Sequence, residues 1–327
     1  MILAGDIGGT KTNLALFEAQ DGKLQVVVQK QFASQKYATF SDVIEAFKKE
    51  CVLPTIDAVC FGIAGPIIGG DCETTNLPWK ISTQALQDYL GIKKVRLLND
   101  LEATAYGMLY VPQEEFVDLN PSAQTLKGNR AVIAAGTGLG EGILYDDGAR
   151  YHPIGSEGGH SDFAPLTPQQ DALLLWLRMR YPEHVSYERI LSGSGISTLY
   201  AFLLESGFAP QPQSMLHLNE DEDRSAIISQ CALNDGDPLC VETLRLFAQI
   251  YGAEAGNLAL KSMSLGGVYI GGGIAPKILP MLRESHFMDA FVSKGRFEKM
   301  LSKMPVRVCL NPETALLGAA YFAHDML

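Results

Sequence analysis

Two glycine turns constrain this chain more than any other feature. DIGGTKT (6–12) lies at the end of the apolar run ILAGDI, and GTGLGEG (136–142) follows AVIAA about 130 residues later. After the first turn, NLALFE (13–18) and LQVVVQK (24–30) alternate as strands do. After the second, the order is again strand, Gly-containing hairpin, strand, through residue 153. Each meander is followed by alternating helix and strand patterns. That layout implies two related α/β halves facing one cleft, and 327 residues are enough for both.

Within the first half, Ser41 is placed to cap a helix whose apolar positions are Val43, Ile44 and Phe47. IDAVCFGIAG (56–65) lacks alternation, so it reads as a fully buried strand. PIIGGDCETTNLPWK (66–80) reads as one long loop, a length that goes with function in compact domains. Ser82 and Gly91 bracket the helix TQALQDYL as N-cap and C-terminal glycine. KKVRLL is a strand that Asp100 ends, before a helix near 101–110 that Asp100 is also suited to cap. The second half is helix-rich, at 168–180, at 194–206, and from Asp237-Pro238, a cap followed by an N1 proline. LGGVYIGGGIAP (265–276) runs from a strand into a third glycine turn. VRVCL (306–310) is the last strand and PETALLGAAYFAHDM the last helix, while 209–222 reads as a surface loop.

Composition excludes several classes. A net charge of −11 argues against nucleic acid, which needs clustered Lys and Arg. No apolar run reaches the ~18 residues of a membrane span, and MILAGDIGG has no basic, signal-like start. The six cysteines (51, 60, 72, 231, 240, 309) form no CxxC pair and read as small buried hydrophobes of a cytoplasmic protein. His152, His184, His217, His286 and His324 have no partner at catalytic spacing, and no GxSxG motif is present, which disfavours a Ser/His hydrolase.

Four motifs and the carboxylate of Asp100 carry chemistry. In DIGGTKT, glycines let backbone N–H groups approach phosphate oxygens, Thr10 adds a donor, and Asp6 suits Mg²⁺ held through water. The turn is neither a P-loop nor a dinucleotide fingerprint, since GK[ST] is missing and a strand follows. Its ordinary alternative is a plain hairpin. GTGLGEG repeats the logic, so the two turns together could grip one triphosphate. GGGIAP (271–276), with Gly272, suits a wall for the base and ribose of a nucleotide, or a turn forced by packing. In SEGGH, Glu157 and His160 stand three apart, an acceptor and a ring that both suit sugar hydroxyls. A loop histidine, or a metal pair too thin for zinc, is the alternative. Asp100, at a strand end after Asn99, occupies the position where α/β folds keep their chemistry. A sugar kinase with Asp100 as base accounts for all four motifs. By the residues alone, Glu188 in YERILSG is an ordinary helix or loop glutamate.

Assembled, these motifs resemble the bacterial-type glucokinase family of the actin/hexokinase/heat-shock-chaperone ATPase superfold. The resemblance spans nearly the whole chain through GDIGGT, the LPW loop, LLNDLEA, GTGLGEG, EGGHSDFAP, ERILSGSG, GGVYIGGGIAP, KGRF and LLGAAY. It implies a two-domain actin-like (ribonuclease H-like) α/β fold, each domain with a mixed sheet flanked by helices. Residues 1–110 plus 311–327 would form the small domain and 111–310 the large one. It implies ATP-dependent phosphorylation of D-glucose at the 6-hydroxyl, the entry step of glycolysis, with Asp100 as base. Asn99, Asp100, Glu157, His160 and Glu188 would hold the sugar, with Asn76 and Gly65 lining the pocket. Gly5, Asp6, Ile7, Gly8, Gly9, Thr10, Thr137 and Gly138 would bind the phosphates, with Mg²⁺. The related repressor/sugar-kinase (ROK) proteins carry a cysteine cluster after their EGGH-like segment; SDFAPLTPQQ has none, so no structural zinc is expected. A homodimer is what the family offers. The competing readings are a kinase for mannose, fructose or an N-acetylhexosamine, and a nucleotide-dependent binding module of the same superfold.

Overall fold

The computed structural model describes residues 1–51, 54–74, 76–216 and 222–327; His217 lies outside the described residues, as does Thr75 of the LPW loop. Two compact units divide the chain. One comprises Met1–Glu115, Arg150–Gly155 and Asn311–Leu327, the other Phe116–Ala149 and Ser156–Leu310.

The first unit opens with the meander β1 (Ile2–Ile7), β2 (Lys11–Gln20) and β3 (Lys23–Ala33). Helix α1 (Phe40–Glu50) follows, with Val43, Ile44 and Phe47 buried as the pattern requires. Its cap is Thr39 rather than Ser41: Thr39 accepts from the Asp42 N–H while the Asp42 carboxylate accepts from the Thr39 N–H, a reciprocal box that Ser41, with Ile44 three residues on, cannot form. β4 (Ala58–Ile63) is buried along its full length. The segment expected to be a loop folds into a small antiparallel sheet of β5 (Ile67–Ile68), β6 (Asp71–Glu73) and β7 (Lys80–Ser82). Its strands are two or three residues long, too short for alternation to register in the sequence. Ser82 and Gly91 (φ 69°) cap α2 (Thr83–Leu90). β8 (Val95–Asn99) and α3 (Asp100–Gly107) complete the run.

The main sheet has the order β3-β2-β1-β4-β8, with β1, β4 and β8 parallel and the meander antiparallel. Both faces are buried. Leu3, Ile7, Leu14, Phe61 and Ile63 pack toward Phe47 of α1, while Ile2, Ala4, Ala15 and Cys60 pack toward Leu316, Ala319 and Ala323 of the C-terminal helix. That helix crosses α3 closely. A methyl on Gly318 would overlap the Ala103 carbonyl and stand 2.6 Å from the Gly107 nitrogen. The chain end therefore fixes the helix that begins at Asp100.

The second unit holds β9 (Phe116–Asp118), β10 (Arg130–Ala135) and β11 (Leu139–Asp146). The next strand, β12 (Tyr151–Ser156), belongs to the first unit through Gly155. Then come α4 (Pro168–Arg178), α5 (Gly193–Glu205), α6 (Arg224–Gln230) and α7 (Pro238–Ser262, capped by Asp237). β13 (Val268–Gly271), α8 (Leu279–Leu282), α9 (Ser285–Val292), α10 (Glu298–Leu301) and β14 (Val306–Cys309) follow, before the C-terminal α11 (Thr314–His324). β10 is antiparallel to β11 and parallel to β13, as β1 is to β2 and β4, so the two glycine turns occupy equivalent places in two like sheets. Leu244, Phe247 and Tyr251 of α7 form the centre of this unit's core, with Leu199 of α5 and Phe287 and Phe291 of α9. The six cysteines are free, and all but Cys51 are buried. Among the described residues, no helix is long and apolar enough to cross a membrane.

Candidate active site

In the first unit, the parallel strands β1, β4 and β8 bring their carboxyl ends together, pairing Ile7 with Ile63 and Ile63 with Asn99. Asn99, not Asp100, is the N-cap of α3. Its Oδ1 accepts from Leu101 N at 2.9 Å, and Glu102 Oε2 accepts from Asn99 N at 2.9 Å. Asn is as good a cap as Asp, and the box with Glu102 decides between them. Asn99 Nδ2 also donates to the Gly65 carbonyl at 3.1 Å, so most of the Asn99 amide is spent on the scaffold. Asp100 becomes the first helical residue, half-buried, with Oδ1 accepting from Leu101 N at 2.9 Å.

Asp6, at the end of β1, faces Asp100. Burial first, and the Asp100 charge second, push the Asp6 carboxyl up to about 6, against a hydrogen bond from Asn13 that lowers it. Two carboxylates held in mutual repulsion are a donor set that fits a hard divalent cation. Among the described residues, no group of three or more His, Cys, Asp or Glu side chains is placed to hold a metal by itself.

The DIGGTKT turn is tight and pinned from a distance. Gly8 N donates to Lys11 O at 2.9 Å, Ser34 Oγ donates to Gly8 O at 2.7 Å, and Ser34 N donates to Thr10 O at 3.0 Å. Ser34 also shares a 2.9 Å hydrogen bond with the buried Thr12 hydroxyl. Sequence reasoning missed Ser34, which lies beyond the third strand with no local signal. Gly5 and Ile7 turn inward: a methyl on Gly5 would stand 2.7 Å from Leu14 and 2.8 Å from Phe61, and Ile7 is buried. Both residues lie in β1 where it is paired on either side, to β2 and to β4. A methyl on Gly9 would come within 2.7 Å of Asn76 Cβ, so Asn76 lies against the turn.

In the second unit, the GTGLGEG turn meets both remaining motifs. Glu188 Oε2 accepts from Leu139 N at 3.0 Å, and a methyl on Gly138 would overlap that oxygen. His160 Nε2 stands 3.9 Å from Glu188 Oε1. Gly136 O accepts from Gly193 N, the first residue of α5, at 2.9 Å, and Thr137 at the tip is exposed. In SEGGH, His160 N donates to Glu157 O at 3.0 Å, closing a single turn that leaves the Glu157 side chain exposed. A cavity of about 390 Å³ opens beside it, lined by His160, Glu188, Tyr181, Arg189, His184 and Ser186. Glu188, unremarkable in sequence, is thus bonded to the glycine turn, near His160 and on the cavity wall. Gly272 (φ 81°) has its α-carbon against the Ala135 carbonyl, where a side chain would overlap it. That is a close-packing demand, and Gly273 beside it faces open space.

Comparison with known proteins agrees with these motifs. A family model described as Glucokinase matches residues 3–326. The glucokinase of Nostoc punctiforme is 39% identical over 336 aligned positions, covering 99% of this chain and 98% of that protein. The glucokinase of Photorhabdus laumondii is 34% identical, covering 99% and 97%. A crystal structure of glucokinase from an Antarctic psychrotroph superposes with a TM-score of 0.86 at 31% identity, covering 99% and 98% of the two chains. A ROK family glucokinase from Streptomyces griseus, crystallised with glucose and AMPPNP, shares the fold at a TM-score of 0.65 and 20% identity, with 99% of each chain covered. The fold is the two-domain actin-like one. The chain belongs to the glucokinase family.

Proposed function

We propose that this chain transfers the γ-phosphoryl group of ATP to the 6-hydroxyl of D-glucose, with Asp100 as the base. Membership of the glucokinase family makes it an ATP-dependent glucose kinase; the assignment of residues is our reading. The observation that carries it is the Asp6–Asp100 pair at the carboxyl ends of three parallel strands, beside a pinned glycine turn.

Asp100 accepts the 6-hydroxyl proton as that oxygen bonds to the γ-phosphorus. The bond from that phosphorus to the β–γ bridging oxygen breaks, and ADP leaves. The transition state of such a transfer is loose, so alignment and charge neutralisation supply most of the rate. Backbone N–H groups of Gly9, Thr10, Thr137 and Gly138 meet the phosphate oxygens, while Gly8 shapes the turn through its bond to Lys11 O. Asp6 would hold Mg²⁺ through water, and the ion when bound would neutralise charge on the β and γ oxygens. Asn99, Asn76, Gly65, Glu157, His160 and Glu188 supply the hydrogen bonds that select the sugar. A cytoplasmic location rests on the six free cysteines, and a homodimeric assembly on the family resemblance.

The test is ADP release across glucose, mannose, fructose and N-acetylhexosamines, with ATP, ADP or polyphosphate as donor. Glucose with ATP should give the highest kcat/KM; another sugar leading would replace the substrate. In the same assay Asp100→Asn should keep its glucose KM within several-fold and lose about 10²–10⁴-fold in kcat, the worth of a positioned base. Turnover within tenfold of the parent would remove Asp100 from that role.

A further inference from the structure

Two buried carboxylates that the proposed reaction does not use lie beneath its sugar-binding turns. Glu141, on β11, is 1% exposed, and its Oε1 has no hydrogen-bond partner among the described residues. It faces Glu254 of α7, which is fully buried. Glu254 accepts from Asn257 Nδ2 at 2.8 Å and from Lys261 Nζ at 3.4 Å. Two facing carboxylates offer only acceptors, and one partly exposed ammonium cannot neutralise both. An uncompensated buried charge is costly, whereas one added proton gives Glu141 Oε1 a role and removes the repulsion.

The pair touches both turns. A methyl on Gly158, in the middle of SEGGH, would overlap Glu141 Oε2 and stand 2.8 Å from its Cδ, so the carboxyl group is the floor of that turn. Ser156 Oγ donates to the Glu141 carbonyl at 3.0 Å and accepts from Gly158 N at 3.2 Å. On the other side, Asn257 Nδ2 links Glu254 to the Tyr187 hydroxyl at 3.2 Å, one residue from Glu188.

We propose that Glu141 and Glu254 share one proton, and that this singly charged pair is a positioning element holding the Glu157–His160 and Glu188 turns in the arrangement that glucose requires. The proposal rests on the glucose-kinase reading for its ligand, but not for its protonation. Burial, and then the Glu254 charge, push the Glu141 carboxyl up to about 8, with Lys261 opposing. The other titratable groups facing the pair are Tyr187 and Tyr251, which burial raises, and Lys294, whose ammonium burial lowers. Above that pH the Glu141 carboxyl ionises against Glu254, and the repulsion loosens the floor of the SEGGH turn.

The experiment is calorimetric titration with glucose, without nucleotide, from about pH 6 to 9.5 on the parent, Glu141→Gln, Glu141→Ala and Glu254→Gln. Glutamine imitates the protonated acid. The parent should lose about tenfold in affinity from pH 7 to 9.5. Glu141→Gln should match the parent at pH 7 within about threefold and stay flat, Glu254→Gln should flatten likewise, and Glu141→Ala should bind weakly throughout. Melting of the sugar-free proteins tests the proton separately. The folded parent holds it more tightly than the unfolded chain, so its Tm should fall relative to Glu141→Gln as pH rises from 5 to 8 and then level. A flat parent affinity profile, or a Glu141→Gln profile parallel to the parent's, overturns the positioning role; a Tm difference independent of pH overturns the shared proton. If Glu141→Gln fails to fold, Glu254→Gln and the parent's own profile decide. A parent that binds no glucose at any pH defeats the glucose-kinase reading and the positioning role together, while the melting curves still judge the proton.

Discussion

Asp6→Asn should make the protein more stable and less active, and the gain in stability should depend on pH. Folding raises the Asp6 carboxyl from 3.8 to about 6, chiefly by burial and then by Asp100. Between those values the folded state binds more protons than the unfolded one, so on this group's account stability falls as pH rises through the window. The penalty is complete above about pH 6. A hundredfold change in proton affinity corresponds to about 3 kcal/mol; Asp6 keeps part of its surface in water, which reduces this to roughly 1–3 kcal/mol. Asparagine carries no charge and can still accept from Asn13, so the substitution removes the penalty and keeps the hydrogen bond. The Tm of the transition that melts the first unit should match the parent's near pH 4 and exceed it by roughly 4–12 °C at pH 7.5. Scanning calorimetry with chelator and without nucleotide or sugar is the assay, because a bound cation would itself relieve the repulsion. Asp100→Asn should reproduce part of the gain, and the double variant should gain less than the sum, since the two groups act on one another. A Tm difference that is the same at both pH values, or a variant less stable than the parent at pH 7.5, would refute the reasoning.

Two further substitutions test the packing around the site. Gly138→Ala puts a methyl against the end of a flexible side chain, overlapping Glu188 Oε2, so the fold should tolerate it. The 3.0 Å bond from Leu139 N to Glu188 should be lost, and glucose KM should rise about tenfold for the roughly 1.5 kcal/mol of a hydrogen bond to a charged group; an unchanged KM would free Glu188 from sugar binding. Gly318→Ala meets backbone instead, the Ala103 carbonyl and the Gly107 nitrogen. It should cost about 3 kcal/mol or more by forcing α11 off α3, read as a lower Tm with kcat falling as Asp100 shifts; a Tm within a degree or two of the parent would mean that the helix contact gives easily.

The sequence carried the site further than it carried the scaffold, for a physical reason. Glycine turns, a carboxylate at a strand end and the EGGH segment announce themselves because their chemistry is local: phosphate approach needs a missing side chain, and a strand terminus is visible in hydropathy. What stayed hidden depends on partners far along the chain. Ser34 locks the first turn from 26 residues beyond Gly8, and nothing in its own neighbourhood sets it apart. Asp100 and Asn99 are equally good caps by residue type, and only the return bond from Glu102 chooses Asn99 and leaves Asp100 facing Asp6. Asp100 then takes the first helical position, with Oδ1 accepting from Leu101 N at 2.9 Å. Glu141 and Glu254 did leave a trace, each a lone charge within LGEGILY and YGAEAGNLAL, apolar or small on every side. A single charge in such a run is costly unless something meets it. Reading the two together requires knowing that β11 lies against α7, which only the fold supplies. The turns that hold the ligands are thus written locally, and the groups that hold the turns are written at long range.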